Sequence, residues 1–489
     1  MTASAAFLPE LVFLLGALVV FGFTLGESRV RQARNAALAT AAAAILAAVF
    51  SLGCHESLFQ DAYRVDIFSQ TLKLAFSIGF GLILLLSGGL GDIREEVKPE
   101  YYLFLTISVL GLLMLSSAIE LITLVVCLEL SSFPLFLLVA MRREQEGHRM
   151  QMESAIKYIM FGIAANGIMF FGFSYLFGLT GTTSLPVMMP KLVAIAGTPA
   201  AIAGLALALG GIFYKLAIFP FQFWTPDVYQ GAANETAALI SSLPKLGGIA
   251  ILVRLVCLAG PDSPTFALLL AMLAVASMMY GNLIALVQTD FKRLLGFSGI
   301  AHAGYALIGF VALSEEGAAA AMFYILSYLL MVMACFLVIC RVSRDGANLK
   351  IEELAGLHRR SPLLAVTLAV GVFALAGLPP FAGFMGKLSL LKAALAKGWL
   401  ALVIIVMINA AIAVFYYLSV VRESWFRDPG DLPPIRLDGP TRVLCLLLIG
   451  GILALGIAPS PVLDRLRQGV AQATHLTPAP AVAVVGQTR

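Results

Sequence analysis

The sequence of 489 residues has few charged side chains, which make up 12% of it, and only five histidines and three tryptophans. Soluble domains carry about 25% charged residues, so a soluble globular protein is excluded. Disorder is excluded as well, because 60% of the residues are hydrophobic. The chain contains instead apolar runs of about 20 residues, the length that crosses a bilayer, from residue 8 to residue 459.

Cysteine is also scarce, and none of the six thiols has CxxC spacing. Five of them lie inside apolar runs, which is typical of buried structural thiols and not of a disulfide scaffold or a metal centre. The sequence has no P-loop, no HExxH and no dinucleotide-binding glycine motif in a βαβ unit. We therefore expect no bound cofactor or metal, no redox chemistry in this chain and no nucleic-acid partner.

The apolar runs predict an all-α polytopic membrane protein with about fourteen transmembrane helices. Helices are favoured over a barrel because the runs are continuously apolar, whereas barrel strands alternate in polarity. The predicted helices 1 to 14 lie near 7–25, 36–53, 68–90, 101–117, 119–141, 154–178, 198–229, 234–258, 264–287, 293–313, 317–340, 361–397, 399–421 and 441–459.

Basic residues are unevenly distributed among the predicted loops. Nineteen fall in loops that join an odd-numbered helix to the next even one, and six fall elsewhere outside the spans. The positive-inside rule then places the odd-to-even loops in the cytoplasm and both termini on the periplasmic side. The first run lacks a basic leader, so we expect it to be retained as a span. The tail TPAPAVAVVGQTR at 477–489 is expected to be frayed.

Ten of the charged residues inside the predicted spans are considered as anchors or functional groups, because a charge at mid-membrane costs about 2.5–3.5 kcal/mol. Five lie near span ends and are interpreted as anchors that reach the interface: Glu10, Lys73, Glu120, Arg254 and Lys392. Four lie near mid-span and are predicted to be functional: Glu129, Lys215, Lys245 and Lys387. Lys157, which lies at the start of helix 6, fits an anchor and a relay residue equally well.

Proline interrupts two of the predicted helices beside a lysine. Pro220 follows Lys215 in helix 7, and Pro379 and Pro380 precede Lys387 in helix 12. Because proline removes a backbone hydrogen bond, each break is predicted to line a hydrated cavity. One broken helix with a lysine in each half of the chain is typical of an inverted-repeat transporter.

The spacing of these features predicts two inverted five-helix repeats, helices 4–8 and helices 9–13. The expected division is 1–100 for helices 1–3, 101–260 and 261–425 for the two repeats, and 426–489 for helix 14 and a flexible tail. Helix 5, with Glu129, then corresponds to helix 10, which has His302 at membrane depth. His302 is therefore a candidate proton-relay residue, the alternative being a hydrogen-bonded packing residue.

Five segments resemble the antiporter-like membrane subunits of respiratory complex I: VVCLELSSFPLFLLVA, FYKLAIFPFQFWTPDVYQGA, SSLPKLGGIA, QTDFKRLLGFSGIAHAGYALIG and GLPPFAGFMGKLSLL. The resemblance covers roughly residues 100–425, and WTPDVYQGA is similar to the N-type subunits in particular. It implies a place in the bacterial inner membrane beside other antiporter-like and small subunits. NADH, FMN, iron–sulfur clusters and quinone would lie in partner subunits, including the hydrophilic redox arm.

The resemblance also implies roles for individual residues. Glu129 and Lys215 would form a pair, Lys245 would connect them to Lys387, and Lys157 matches a lysine often found in helix 6. The chain departs from many relatives at Gln222, where they have a histidine, so a relay through that position would need water or another group.

The hypothesis that follows is proton translocation along the membrane midplane. Burial disfavours the charged form of a lysine, so Lys215 would hold or release a proton according to the position of Glu129. The proton would pass through Lys245 and His302 to Lys387. Two alternatives remain open: a subunit of an Mrp-type cation/proton antiporter, whose large subunits share these features, and a structural membrane subunit that spaces active neighbours.

Overall fold

The structure is a computed structural model that describes residues 3–26, 29–143, 150–261, 263–343 and 346–475. The tail at 477–489 lies outside the described residues, as do three of the basic residues counted in loops and tail, Arg149, Arg344 and Arg489.

Helices account for most of the described chain. The first part contains α1 (Ala3–Ala6), α2 (Leu8–Thr24), α3 (Val30–Phe50), α4 (Ile67–Leu86), α5 (Lys98–Ser117), α6 (Leu121–Ala140) and α7 (Met150–Thr180). The middle contains α8 (Leu185–Val193), α9 (Pro199–Ala208), α10 (Gly210–Leu216), α11 (Trp224–Gly231), α12 (Asn234–Val256), α13 (Pro264–Ala285) and α14 (Phe291–Val311). The last part contains α15 (Glu315–Val342), α16 (Leu357–Arg360), α17 (Pro362–Ala376), α18 (Ala382–Ala396), α19 (Leu400–Phe426), α20 (Gly439–Ile457) and α21 (Ser460–Thr474).

Twelve helical segments of the described chain are long and apolar enough to cross a membrane. Two shorter apolar helices, α2 and α17, lie at the first and twelfth predicted spans. The all-helical, multi-pass membrane fold is thus confirmed, while the number fourteen and the two repeats stay predictions.

A hairpin and two helices of 9 and 15 residues were not predicted from the sequence. Strands β1 (Glu56–Leu58) and β2 (Tyr63–Val65) form an antiparallel hairpin in which Glu56 pairs with Val65. The short helix α8 follows α7, and the amphipathic helix α21 packs on α15 and α4. None of the three has a long apolar run, so a search for membrane spans does not detect them.

The helices form a central layer and an outer layer. Every residue of α12 is buried, as is nearly all of α14, and α15 is buried over most of its length. In contrast, α2, α7, α19 and α20 expose large apolar side chains along one face. The outer helices therefore meet the apolar surroundings, and the charged residues of α12 and α14 lie in the protein interior.

The interpretation of the near-end charges as interfacial anchors is wrong for Glu10, Lys73 and Arg254. The Lys73 Nζ lies 2.7 Å from the Glu10 Oε1, and both side chains are almost completely buried. The Tyr63 hydroxyl donates to the same carboxylate oxygen at 2.5 Å. Arg254 is equally buried and binds Asp66 at 3.2 Å. These charges satisfy one another inside the protein, so they do not have to reach the interface.

Two of the predicted anchors do lie near the surface. Lys392 is 73% exposed and lies 3.7 Å from Glu316. Glu120 caps α6 by accepting a hydrogen bond from the backbone N–H of Thr123 at 2.7 Å. Burial acts to raise the pKa of Glu120, but hydrogen bonds from Thr183 and Thr123 hold that pKa below its ordinary value.

Candidate functional site

The first helix break separates α10 from α11. Helix α10 ends at Leu216, Ala217 has a left-handed backbone with φ of 62°, and α11 begins at Trp224. Pro220 lies between the two helices and has no N–H to continue either of them. Lys215 occupies the last turn of α10 and is buried.

Lys215 contacts hydroxyl groups and not the predicted carboxylate. Its Nζ lies 2.6 Å from the Ser131 Oγ and 2.9 Å from the Ser132 Oγ. Glu129, on the same helix α6, is only partly buried and accepts a hydrogen bond from the Asn166 side chain at 2.5 Å. Within the described residues, Glu129 and Lys215 form no direct ion pair. Glu129 and Ser131 are two residues apart, which corresponds to a rotation of about 200° around the helix axis. Glu129 therefore faces α7, and Ser131 faces α10.

Lys245 lies in the middle of α12 and is completely buried. Its Nζ donates to the Gly299 carbonyl of α14 at 2.6 Å. The ammonium also lies 5.3 Å from the centre of the Tyr328 ring, within range of a cation–π interaction. Its charge is thus stabilised by a carbonyl and an aromatic face.

His302 lies one turn beyond Gly299 on α14. Its Nδ1 is 2.6 Å from the Tyr324 hydroxyl, and its Nε2 is 3.0 Å from the Tyr417 hydroxyl. The ring also contacts Tyr328, with ring centres 4.9 Å apart. A neutral imidazole has one donor and one acceptor nitrogen, so the two hydroxyls satisfy it completely.

The second helix break separates α17 from α18. Helix α17 ends at Ala376, Gly377 has φ of 86°, and α18 begins at Ala382 after Pro379 and Pro380. The left-handed backbone at Gly377 is readily adopted by glycine. The break leaves the last carbonyls of α17 without helical partners.

Lys387 of α18 occupies this end of α17. Its Nζ donates to the carbonyls of Ala376 at 2.9 Å and Leu375 at 3.2 Å. It also lies 4.8 Å from the centre of the Tyr305 ring. The Tyr305 ring also contacts His302, and the two ring centres are 5.9 Å apart.

Two tyrosines therefore connect three of the predicted site residues. Tyr328 contacts Lys245 and His302, and Tyr305 contacts His302 and Lys387. Lys215 and Glu129 lie at a separate position near the first break.

Lys157 lies apart from the other five predicted residues. It is 38% exposed, and its Nζ lies 2.6 Å from Glu153 and 2.7 Å from Asp227. Asp227 also binds Arg293 at 2.7 Å. Of the two readings left open for Lys157, this position favours the anchor.

Buried polar atoms without a protein partner follow the first break. Gln222 is completely buried, and neither of its amide atoms makes a hydrogen bond of ordinary geometry among the described residues, although Tyr280 lies nearby. The Thr225 and Tyr229 hydroxyls are also buried without a hydrogen-bond partner among the described residues. Such atoms are the usual binding points of internal water.

Sequence reasoning missed the polar residues that surround the charged ones. They include Ser131, Ser132, Asn166, Asn282, Tyr305, Tyr324, Tyr328, Tyr416 and Tyr417. Tyrosines spaced by four in α15 and the adjacent pair in α19 were available signals, because hydroxyls in apolar runs need partners. The described residues contain no cluster of three or more histidine, cysteine, aspartate or glutamate side chains that could hold a metal.

Known proteins resemble this chain over nearly its whole length. Residues 118–413 match the family described as NADH:quinone oxidoreductase/Mrp antiporter, TM. A protein named NADH-quinone oxidoreductase subunit N 2, from Opitutus terrae, is 61% identical over 472 residues, which are 96% of this chain and 98% of the relative. A protein of the same name from Syntrophobacter fumaroxidans is 41% identical, with coverage of 96% and 99%.

Solved structures give the same result. A chain of respiratory complex I from Thermus thermophilus matches with a TM-score of 0.80 and 29% identity, covering 94% of this chain and 100% of that one. A chain of the Mrp complex from Dietzia sp. has a TM-score of 0.83 at 20% identity, with coverage of 97% and 98%, and so shares the fold. The chain therefore belongs to the NADH:quinone oxidoreductase/Mrp antiporter family of membrane proteins, together with the bacterial relatives named subunit N.

Proposed function

We propose that this chain is the N-type, antiporter-like membrane subunit of a bacterial NADH:quinone oxidoreductase and moves protons through the membrane without doing redox chemistry itself. The observation that carries the proposal is the buried line from Lys245 through His302 to Lys387, connected by two tyrosine rings. The names of relatives up to 61% identical support the assignment to this complex.

The surroundings of the lysines suit groups that gain and lose protons. None of Lys215, Lys245 and Lys387 forms an ion pair with a carboxylate within the described chain; each binds hydroxyl or carbonyl oxygens. Burial disfavours an ammonium, whereas oxygen acceptors and aromatic faces favour it, so neither state is strongly fixed. A permanent ion pair would hold the proton in place.

In the proposed cycle, Glu129 controls the first lysine. When its carboxylate approaches Lys215, the ammonium is favoured, and when it turns to Asn166, as here, Lys215 is left on the two serines. Water bound at Gln222, Thr225 and Tyr229 would carry the proton toward Lys245, and His302 would relay it to Lys387.

This transport needs an external source of energy. Moving one charge outward costs about 2.3 kcal/mol per 100 mV of membrane potential. Electron transfer from NADH to quinone would supply that energy in partner subunits, which would hold FMN, the iron–sulfur clusters and the quinone. The partners would be the other membrane subunits and, through them, the hydrophilic redox arm.

The proposed architecture keeps the two inverted repeats at 101–260 and 261–425, flanked by 1–100 and 426–489. Both contain a broken helix whose break begins with a left-handed residue, Ala217 or Gly377. The lysine precedes the break in one case and follows it in the other. The proposed location is the inner membrane of a bacterium, with both termini on the periplasmic side.

The test is proton pumping by the assembled complex in inverted membrane vesicles, measured with a pH-sensitive dye after NADH addition. Glu129→Gln, Lys215→Ala and Lys387→Ala are each expected to reduce pumping strongly. Lys392→Ala is the matched control, because Lys392 lies on the same helix as Lys387 but is 73% exposed. Normal pumping in the first three variants, with normal assembly, contradicts the proposal.

The Mrp-type alternative has less support, because the matching family includes both kinds of protein and the Dietzia chain is only 20% identical. The two readings are separated by purifying the chain in mild detergent from its native membrane. Flavin and iron–sulfur signals that NADH reduces are expected to accompany it. Sodium transport without redox centres would favour the antiporter.

A further inference from the structure

The surroundings of Lys387 include a second set of contacts that the relay does not use. The Tyr305 ring beneath the ammonium belongs to α14, and its hydroxyl accepts a hydrogen bond from the Asn282 Nδ2 of α13 at 3.1 Å. Tyr305 and Asn282 are both buried. A tyrosine ring that carries a cation on its face needs a fixed orientation, because the attraction acts along the normal to the ring.

Asn282 is itself held from two sides by α19. Its Nδ2 also donates to the Asn409 Oδ1 at 3.1 Å, and its Oδ1 accepts from the Tyr416 hydroxyl at 3.0 Å. Asn409 and Tyr416 are buried as well. A buried amide costs free energy unless its donor and acceptor are both satisfied, and here they are. The amide is thus locked, and the Tyr305 hydroxyl is tied to it.

The same helix α19 also contacts His302, in the middle of the line. Tyr417, the neighbour of Tyr416, binds the His302 Nε2 at 3.0 Å, and the two tyrosine rings lie 4.4 Å apart. Helix α19 therefore holds both His302 and, through Asn282, the ring between His302 and Lys387.

We propose, on the basis of the proposed function, that Asn282 is a positioning residue that holds the Tyr305 ring under Lys387 and thereby favours the protonated form of this lysine. Asn282 does not touch Lys387. It acts through the orientation of the ring, and it contributes no charge and takes up no proton.

The groups that face Lys387 limit which residue can explain a change with pH. Helix α14 contributes Tyr305 and His302, α15 contributes Tyr324, which lies against Gly386, and α17 contributes only carbonyls. Helix α19 contributes Tyr416 and Tyr417 through the contacts described above. Helix α20 also packs on α18, and its residues 446–457, of which Gly456 lies against Pro380, have no titratable side chain. Burial disfavours the charged form of every side chain, so the tyrosines keep their protons while a buried lysine gives its proton up more readily. His302 and Lys387 are therefore the groups near this site whose protonation can change within the tested pH range.

The experiment measures proton pumping by the assembled complex from pH 6 to pH 9.5 in two test variants, Asn282→Leu and Tyr305→Phe. Tyr305→Phe keeps the ring and removes the hydroxyl that Asn282 holds. Both are expected to move the alkaline limb, where Lys387 loses its proton, to lower pH by about half a unit or more. Tyr416→Phe is the comparison variant, because it removes one hydrogen bond to the same amide but leaves the bond between Asn282 and Tyr305. Its shift is therefore expected to be clearly smaller.

The outcomes separate this proposal from the relay itself. Unchanged profiles in both test variants, while Lys387→Ala abolishes pumping, overturn the role of Asn282 and leave the relay standing. An equal shift in Tyr416→Phe also overturns it, since general loosening of the amide cluster would then be the cause. Normal pumping in Lys387→Ala overturns the relay and this proposal with it. Assembly is measured by NADH-dependent ferricyanide reduction, and if Asn282→Leu fails to assemble, Tyr305→Phe decides.

Discussion

The buried pair of Glu10 and Lys73 permits a quantitative prediction about stability. The two groups are 2.7 Å apart and 1% and 0% exposed, so neither has access to water. Removing one partner from a buried pair costs about 3–5 kcal/mol, whereas replacing both by neutral groups is close to neutral. Glu10→Gln and Lys73→Met are therefore each expected to destabilise the chain by that amount, and the double variant by much less.

The cost arises from the partner that stays behind, because an unpaired buried charge is unfavourable. Glu10→Gln leaves the Lys73 ammonium without its carboxylate, and Lys73→Met leaves the Glu10 carboxylate with the Tyr63 hydroxyl but without its cation. The double variant leaves no charge behind, so most of the cost is expected to be recovered.

The assay is the temperature at which half of this chain is lost from the detergent-solubilised complex at pH 7. Wild type and the double variant are expected to lie close together, with both single variants well below them. A double variant no more stable than either single variant would refute the reasoning.

Three further predictions concern packing, capping and surface charge. Gly383→Ala should reduce the stability measured in a thermal assay by about 1–3 kcal/mol, because a Cβ there would lie 1.8 Å from the Ala374 carbonyl oxygen. Gly439→Ala is the control and should reduce stability far less, because no atom lies within 4 Å of its Cβ position. Glu120→Ala should lose about 1 kcal/mol from the α6 cap. Because the pKa of Glu120 is lowered in the folded protein, this difference in stability from wild type should persist above the ordinary pKa of a glutamate. It should shrink as the pH falls through the lowered pKa. Asp227→Asn should cost under about 1 kcal/mol for each of its two half-exposed ion pairs, and the loss should diminish in 1 M salt.

Much of the fold was predictable because membrane spans are encoded locally. A run of apolar residues has to form its hydrogen bonds within itself, so its position in the sequence gives its position in the membrane. The breaks at Pro220 and Pro379 were predicted from the missing backbone donor. That signal is not sufficient by itself, because Pro134 and Pro244 lie inside the unbroken helices α6 and α12. The hairpin at Glu56–Val65 and helix α21 were not predictable this way, because their stability depends on packing against distant helices.

The candidate site was predictable only in part. A charged residue is easily recognised in an apolar run, so Lys245 and Lys387 were found from the sequence. Asn282 and Tyr305 are uncharged and were therefore not recognised. Distance along the sequence also misled the interpretation of Lys73. Its position near a span end indicated an anchor, but its partner Glu10 comes from another helix, and pairing across 63 residues cannot be read from local pattern.

Both breaks place a lysine at the carboxyl end of a helical segment, where backbone dipoles add up to about half a negative charge. Lys215 lies in the last turn of α10, and Lys387 binds the last carbonyls of α17. This negative potential belongs to the peptide backbone, so it does not titrate and cannot take the proton away from the lysine. A carboxylate in the same place would both attract the ammonium and compete for its proton. The second break thus gives the Lys387 ammonium an electrostatic counterpart that no change of pH can neutralise.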